Sequence, residues 1–104
     1  MKKVLIICAA GMSSSLIAKK TTKYFEEQGR DIELDAISTS QGNKTIEKDE
    51  FDLYLVSPQA KMYFDSLKKV ADKKDKPIVN IPPQAYVPIP MGIKKMAKLV
   101  EDNI

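Results

Sequence analysis

Val4-Leu5-Ile6-Ile7-Cys8-Ala9-Ala10-Gly11-Met12-Ser13-Ser14-Ser15-Leu16 is the stretch on which the fold turns. Val4 to Ile7 is an unbroken aliphatic run rich in β-branched residues, the pattern of a strand covered on both faces, as in a parallel sheet. A thiol, a glycine and three serines then interrupt it. Beyond them the spacing becomes amphipathic: Leu16, Ile17 and Phe25 interleave with Lys19, Lys20 and Lys23, and Gly29 supplies a C-capping residue. Buried strand, small-residue turn and helix in that order open a βαβ unit, with the strand at the centre of its sheet.

The same alternation repeats downstream. Ile32, Leu34 and Ala36 alternate with Glu33, Asp35 and Ile37, which predicts a second strand with one more polar face, near a sheet edge. A loop is expected over 38–44 and a short helical turn over 45–48. Asp52-Leu53-Tyr54-Leu55-Val56 reads as a third buried strand. Ser57 then serves as N-cap, with Pro58 at the first helical position, for a helix that buries Met62, Phe64, Leu67 and Val70. Lys76 to Ile81 is a fourth short strand, with Pro77 tolerated at its start. Four prolines between Pro82 and Pro90 exclude helix and central strand there. Ile93, Met96, Ala97 and Val100 share one face of a final helix. The expected fold is α/β: one domain over 1–104, three layers (αβα), with a four-stranded parallel open sheet of Rossmann-like or flavodoxin-like winding and a phosphate-binding loop after strand 1.

Composition narrows the functional classes. The 104 residues suffice for one hydrophobic core, and 43% hydrophobic with 30% charged residues is ordinary for a globular chain. The net charge of +3 rests on lysine, because Arg30 is the single arginine. Readers of nucleic acid and phosphate clamps rely on the planar guanidinium, so nucleic acid is not an expected partner. One cysteine and no histidine preclude an internal disulfide and the usual cysteine–histidine metal centres; neither metal nor cofactor is expected. The start Met1-Lys2-Lys3 precedes an apolar run too short for a secretory signal, and no stretch approaches the roughly 20 apolar residues that cross a bilayer. A cytoplasmic location without membrane insertion is expected.

In open parallel sheets, ligands bind outside the carboxyl ends of the strands, and the first strand-to-helix turn is the usual anion cradle. Here Cys8 is the first residue past the strand. Gly11 allows the backbone to bend, and successive N–H groups of Ala9, Ala10, Gly11, Met12, Ser13, Ser14 and Ser15 can converge above the helix start. A helix N-terminus carries unpaired N–H groups and partial positive charge, which favours both a thiolate and a phosphate dianion. Cys8 is then a nucleophile that needs no histidine base. The bland alternative is a small buried residue closing a strand. The turn lacks the glycine-lysine-serine/threonine ending of a P-loop and the three glycines of a dinucleotide fingerprint.

The run Ile7-Cys8-Ala9-Ala10-Gly11-Met12-Ser13-Ser14-Ser15-Leu16 closely resembles the active-site loop of the lactose/cellobiose-type IIB components of bacterial sugar phosphotransferase systems (PTS). Asp52-Leu53-Tyr54-Leu55-Val56-Ser57-Pro58-Gln59 is similar to that family's third strand and Pro-Gln turn, and Lys76-Pro77-Ile78-Val79 leads towards Tyr86 in the same way. The resemblance spans the chain. It implies a transferase of the protein-phosphocysteine–sugar type: a phosphohistidine on a separate IIA protein donates to Cys8, and phospho-Cys8 donates to a sugar, a β-disaccharide such as cellobiose, chitobiose or lactose, held by the membrane permease IIC. It implies a cytoplasmic protein peripherally associated with that permease, and an oxygen cradle from Ala9 to Ser15. Pro58, Gln59 and Tyr86 are expected around the same face as second-shell or partner contacts. Gln59 also reads as an ordinary polar first-turn residue, Tyr86 as a packed loop aromatic, and Met12 as either an exposed loop tip or an inward anchor. The segment from Pro82 to Pro90 departs from the family pattern in its extra prolines and in lacking a glycine just after Tyr86.

Two other readings compete. A low-molecular-weight tyrosine phosphatase or arsenate-reductase-like enzyme also starts a phosphate loop with cysteine, but requires arginine six positions later, where this chain has Ser14, and an Asp-Pro pair that is absent. Without that arginine, charge developing in hydrolysis is unsupported and a phosphocysteine persists. A non-catalytic anion-binding regulatory module is the third reading.

Overall fold

The computed structural model describes residues 1–9 and 12–104, with Met12 and Ser13 by their backbone alone. Aliphatic continuity places β1 (Lys2–Cys8) at the heart of the molecule: Val4 to Ile7 are fully buried. It pairs in parallel on one side with β2 (Ile32–Ser38) and on the other with β3 (Leu53–Val56), which in turn pairs in parallel with β4 (Ile78–Asn80). The order β2-β1-β3-β4 is the flavodoxin-like winding. β2 is an edge strand, as its alternation of polar and apolar residues predicts.

Side chains alternate across the sheet and so feed two cores. Val4, Ile6, Leu53 and Leu55 meet helix α1 (Met12–Glu27) and helix α4 (Pro90–Asn103) through Ile17, Phe25, Ile93, Met96 and Val100. Leu5, Ile7, Tyr54 and Val56 meet Ile46 of α2 (Gly42–Glu47) and Leu67 and Ala71 of α3 (Phe64–Lys73) on the opposite face. Each fully buried aliphatic side chain contributes about 1.5–3 kcal/mol, so the paired cores dominate stability. Gly42 fits where α2 crosses α3: a Cβ there would stand 2.7 Å from Leu67 Cδ2.

Three local expectations are corrected. The loop expected over 38–44 is instead a 3-10 turn (Thr39–Gln41) running directly into α2. The helix expected from Pro58 begins as a six-residue 3-10 segment, Pro58–Tyr63, before α3. Three residues per turn instead of 3.6 rotate its start by about 120° over six residues. Met62 is thereby carried outward and is 78% exposed rather than buried, whereas Leu67 is buried and Phe64 and Val70 are partly buried against the core as expected. Ser57 occupies the N-cap position but makes no side-chain cap hydrogen bond.

Pro82 to Pro90 folds against the α1/α4 face. A 3-10 turn over Pro83–Ala85 buries Ala85, Lys20 Nζ donates to the Pro88 carbonyl at 2.9 Å, and Pro90 starts α4. Gly92 lets this segment approach α4, because a Cβ there would lie 2.3 Å from the Val87 carbonyl oxygen.

Candidate functional site

The chain leaves β1 for β2 on one side and later reaches β3 on the other, so the crevice outside the carboxyl ends of β1 and β3 is the sheet's topological switch point. Cys8 is the last residue of β1, one position further into the strand than the sequence pattern placed it. Ser57 follows β3 directly, and its N–H donates to the Ile7 carbonyl at 2.9 Å. Since Ile7 pairs with Val56, Cys8 and Ser57 emerge side by side. Both point to the face of α1 and α4, the parity opposite to Ile7 and Val56.

Cys8 is only 2% exposed. Its sulfur nevertheless meets a hydroxyl and not hydrocarbon alone: Sγ lies 2.7 Å from Oγ of Ser14, a contact in which either atom can be the donor. Ser14 is buried in the first turn of α1, Ser15 is exposed, and Ala9 is exposed. Ala10 and Gly11 of the expected oxygen cradle lie outside the described residues, as do the side chains of Met12 and Ser13 and hence the two expectations for Met12.

Tyr86 completes the cluster from the Pro82–Pro90 segment. It packs half-buried against the α1/α4 core, and its phenol stays protonated to higher pH than usual. Burial is the main cause; neighbouring Ser14 opposes the shift, Cys8 reinforces it as a source of negative charge and as an acceptor, and Ser57 opposes it. The hydroxyls of Ser57 and Tyr86 are near enough to feel each other, yet Ser57 Oγ lacks hydrogen-bond geometry with any partner among the described residues. Among the described residues the cluster thus brings together the Cys8 thiol and the hydroxyls of Ser14, Ser57 and Tyr86.

Pro58 and Gln59 are placed differently. They flank the cluster but turn to a groove of about 950 Å3 shared with Lys61, Met62, Asn80 and Pro82, and Gln59 is exposed. Sequence reasoning missed Ser57 as a site residue by assigning it to capping. Its parity with Leu53 and Leu55, four and two positions earlier on the same face, was the available signal.

Among the described residues no group of three or more His, Cys, Asp or Glu is arranged to hold a metal ion, and no helix is long and apolar enough to cross a membrane.

Known proteins resemble this chain in sequence and in fold. Residues 3–102 match the family model described as PTS system, Lactose/Cellobiose specific IIB subunit. The chain is 31% identical over 86 residues to the oligo-beta-mannoside-specific EIIB component of Bacillus subtilis, covering 83% of this chain and 82% of that protein. It is 25% identical over 101 residues to the lactose-specific EIICB component of Lacticaseibacillus casei, covering 97% of this chain but 17% of that much longer protein. In fold it superimposes on the lactose-specific IIB component domain from Streptococcus pneumoniae with a TM-score of 0.84 at 19% identity, covering 98% of this chain and 96% of that one.

Proposed function

This chain belongs to the lactose/cellobiose-specific IIB family of sugar phosphotransferase systems, and from that premise we propose that Cys8 is the atom-level carrier of the phosphoryl group. A IIB component works in a phosphotransferase relay. The observation that supports Cys8 as its carrier is position: it is the chain's only thiol, at the carboxyl end of the central strand, beside the hydroxyl of Ser14 at the start of a 16-residue helix.

In the proposed step the Cys8 thiolate attacks phosphorus on a phosphohistidine of the IIA partner. The S–P bond forms as the P–N bond breaks, the electron pair of that bond returns to the imidazole, and no oxidant or reductant takes part. The absence of histidine from this chain fits a donor imidazole supplied by the partner. In the second step a sugar hydroxyl attacks the same phosphorus: the O–P bond forms as the S–P bond breaks, the electron pair of that bond returns to sulfur, and the hydroxyl proton passes to the departing sulfur or to solvent. The developing charge is met by the helix start and by neutral hydroxyls, which bind a dianion without consuming it as an arginine-assisted hydrolase would.

The acceptor is proposed to be a β-linked disaccharide held by a membrane IIC partner, and the chain a single domain over 1–104 in the cytoplasm. The EIICB protein of L. casei, by its name, combines B and C components in one polypeptide, which supports the IIC partnership. Pro58, Gln59 and exposed Met62 border the groove beside the site and are proposed as partner contacts.

Incubation with phosphorylated IIA protein, followed by intact-mass measurement, tests the proposal. The expected result is one persistent phosphoryl adduct on the native chain and none on Cys8→Ala. An adduct of equal occupancy on Cys8→Ala, or phosphate released as fast as it is taken up, would overturn it.

A further inference from the structure

Ser57 poses a problem that the transfer scheme does not absorb. It is fully buried, at 0% exposure. Its backbone is fastened at both ends: the N–H donates to the Ile7 carbonyl at 2.9 Å, and its carbonyl accepts from Ala60 N–H at 3.0 Å. Its hydroxyl has no hydrogen-bond partner among the described residues. An unmet buried hydroxyl costs free energy, and the simplest escape, capping the 3-10 turn that it precedes, is not taken. The backbone holds the side chain on the α1/α4 face beside Cys8 and near the Tyr86 hydroxyl.

We infer that Ser57 Oγ is a phosphoryl-oxygen donor, without a hydrogen-bond partner among the described residues at rest and satisfied when a PO3 group sits on Cys8. The inference rests on Cys8 as the carrier and adds a binding residue to that site. Its physical content is differential binding: an interaction absent in one state and present in the other shifts the equilibrium between them by its full worth. The resting thiol already has a hydroxyl neighbour in Ser14, at 2.7 Å, so the Ser57 hydroxyl is surplus to the unmodified sulfur. A phosphoryl group brings three acceptor oxygens, with room for a hydroxyl donor beside Ser14 and the amides of the helix start. Ser57 therefore stabilises the loaded state selectively and destabilises the empty one slightly, which tilts the relay towards acceptance.

These two effects have opposite signs, and Ser57→Ala separates them. Phosphorylated IIA protein and unphosphorylated chain, freed of upstream enzymes, are mixed in equal amounts, and the equilibrium constant is read from the intact masses of both; melting of the unphosphorylated chain is followed in parallel. A lost hydrogen bond to a charged group is expected to lower the equilibrium constant roughly tenfold or more. The melting temperature of empty Ser57→Ala should equal or exceed that of the native chain, since the hydroxyl removed has no partner among the described residues. An unchanged equilibrium constant overturns the inference, and so does a lower melting temperature, which would mean that the hydroxyl already works in the resting fold. If the native chain takes up no phosphate at Cys8, the carrier reading itself fails and takes this inference with it; loading that is equal in both chains removes only the role of Ser57.

Discussion

Two buried hydroxyls in this molecule lack hydrogen-bond partners among the described residues, those of Tyr54 and Ser57, and they lie three residues apart on opposite faces of the sheet. Tyr54 sits mid-strand in the α2/α3 core, its ring tilted against Phe51 at 6.1 Å between centroids. Its phenol is pushed to higher pH by burial first and by Asp49 second, while the Phe51 amide, nearby but without hydrogen-bond geometry, opposes this. Ser57 stands at the strand's end, beside a thiol, at the switch point of the fold. The same unmet polar group therefore carries different meaning by address. Inside a hydrocarbon layer it is a cost of placing an aromatic ring; at a crevice beside the proposed carrier thiol it is, by our inference, capacity held for a ligand.

The comparison can be broken at its supporting framework. Gly92→Ala places a Cβ 2.3 Å from the Val87 carbonyl oxygen and must displace the segment that carries Tyr86. It should cost about 1–3 kcal/mol in urea unfolding and also weaken phosphoryl uptake. A variant equally destabilised around Tyr54 should leave uptake intact, and if Gly92→Ala does so too, the Tyr86 segment is not part of the site.

A smaller effect sharpens the contrast. Tyr54→Phe removes the other unpaired hydroxyl and should leave stability unchanged or raise it by up to about 1 kcal/mol, with phosphoryl uptake unaltered. Loss of stability would show that Tyr54 is paired after all, and the contrast with Ser57 would dissolve.

The smallest effect appears only in alkali. Tyr54 and Tyr86 both hold their protons more tightly folded than unfolded, where the usual value is 10.0. The stability this represents is fully present below about pH 10 and is lost as pH rises through the higher folded values, because the unfolded chain ionises first. Thermal unfolding of the native chain should therefore fall more steeply above about pH 10 than that of the Tyr54→Phe/Tyr86→Phe double variant. Parallel curves would contradict the burial that drives both shifts.

Much of this could be read in advance from particular residues. Val4 to Ile7 announce a central strand because only a sheet covered on both faces buries four aliphatics in succession. Met62 misled because helical spacing was counted from Pro58 as though the first turns were α-helical, a register the 3-10 segment does not keep. Tyr86 could not be brought to Cys8 by local reasoning, since the segment's path depends on Lys20 reaching Pro88 and on Gly92 admitting Val87. Ser57 was hidden by its own plausibility as a cap. Propensity describes what a side chain can do for its neighbours in sequence, whereas this one is turned toward a neighbour 49 residues away.

The most direct measurement is a phosphorus NMR spectrum of the loaded chain, because sulfur-bound and oxygen-bound phosphoryl groups resonate apart. One sulfur-linked resonance, absent from Cys8→Ala, is the predicted result. A phosphoserine resonance from Ser14 or Ser57, surviving in Cys8→Ala, would contradict the account.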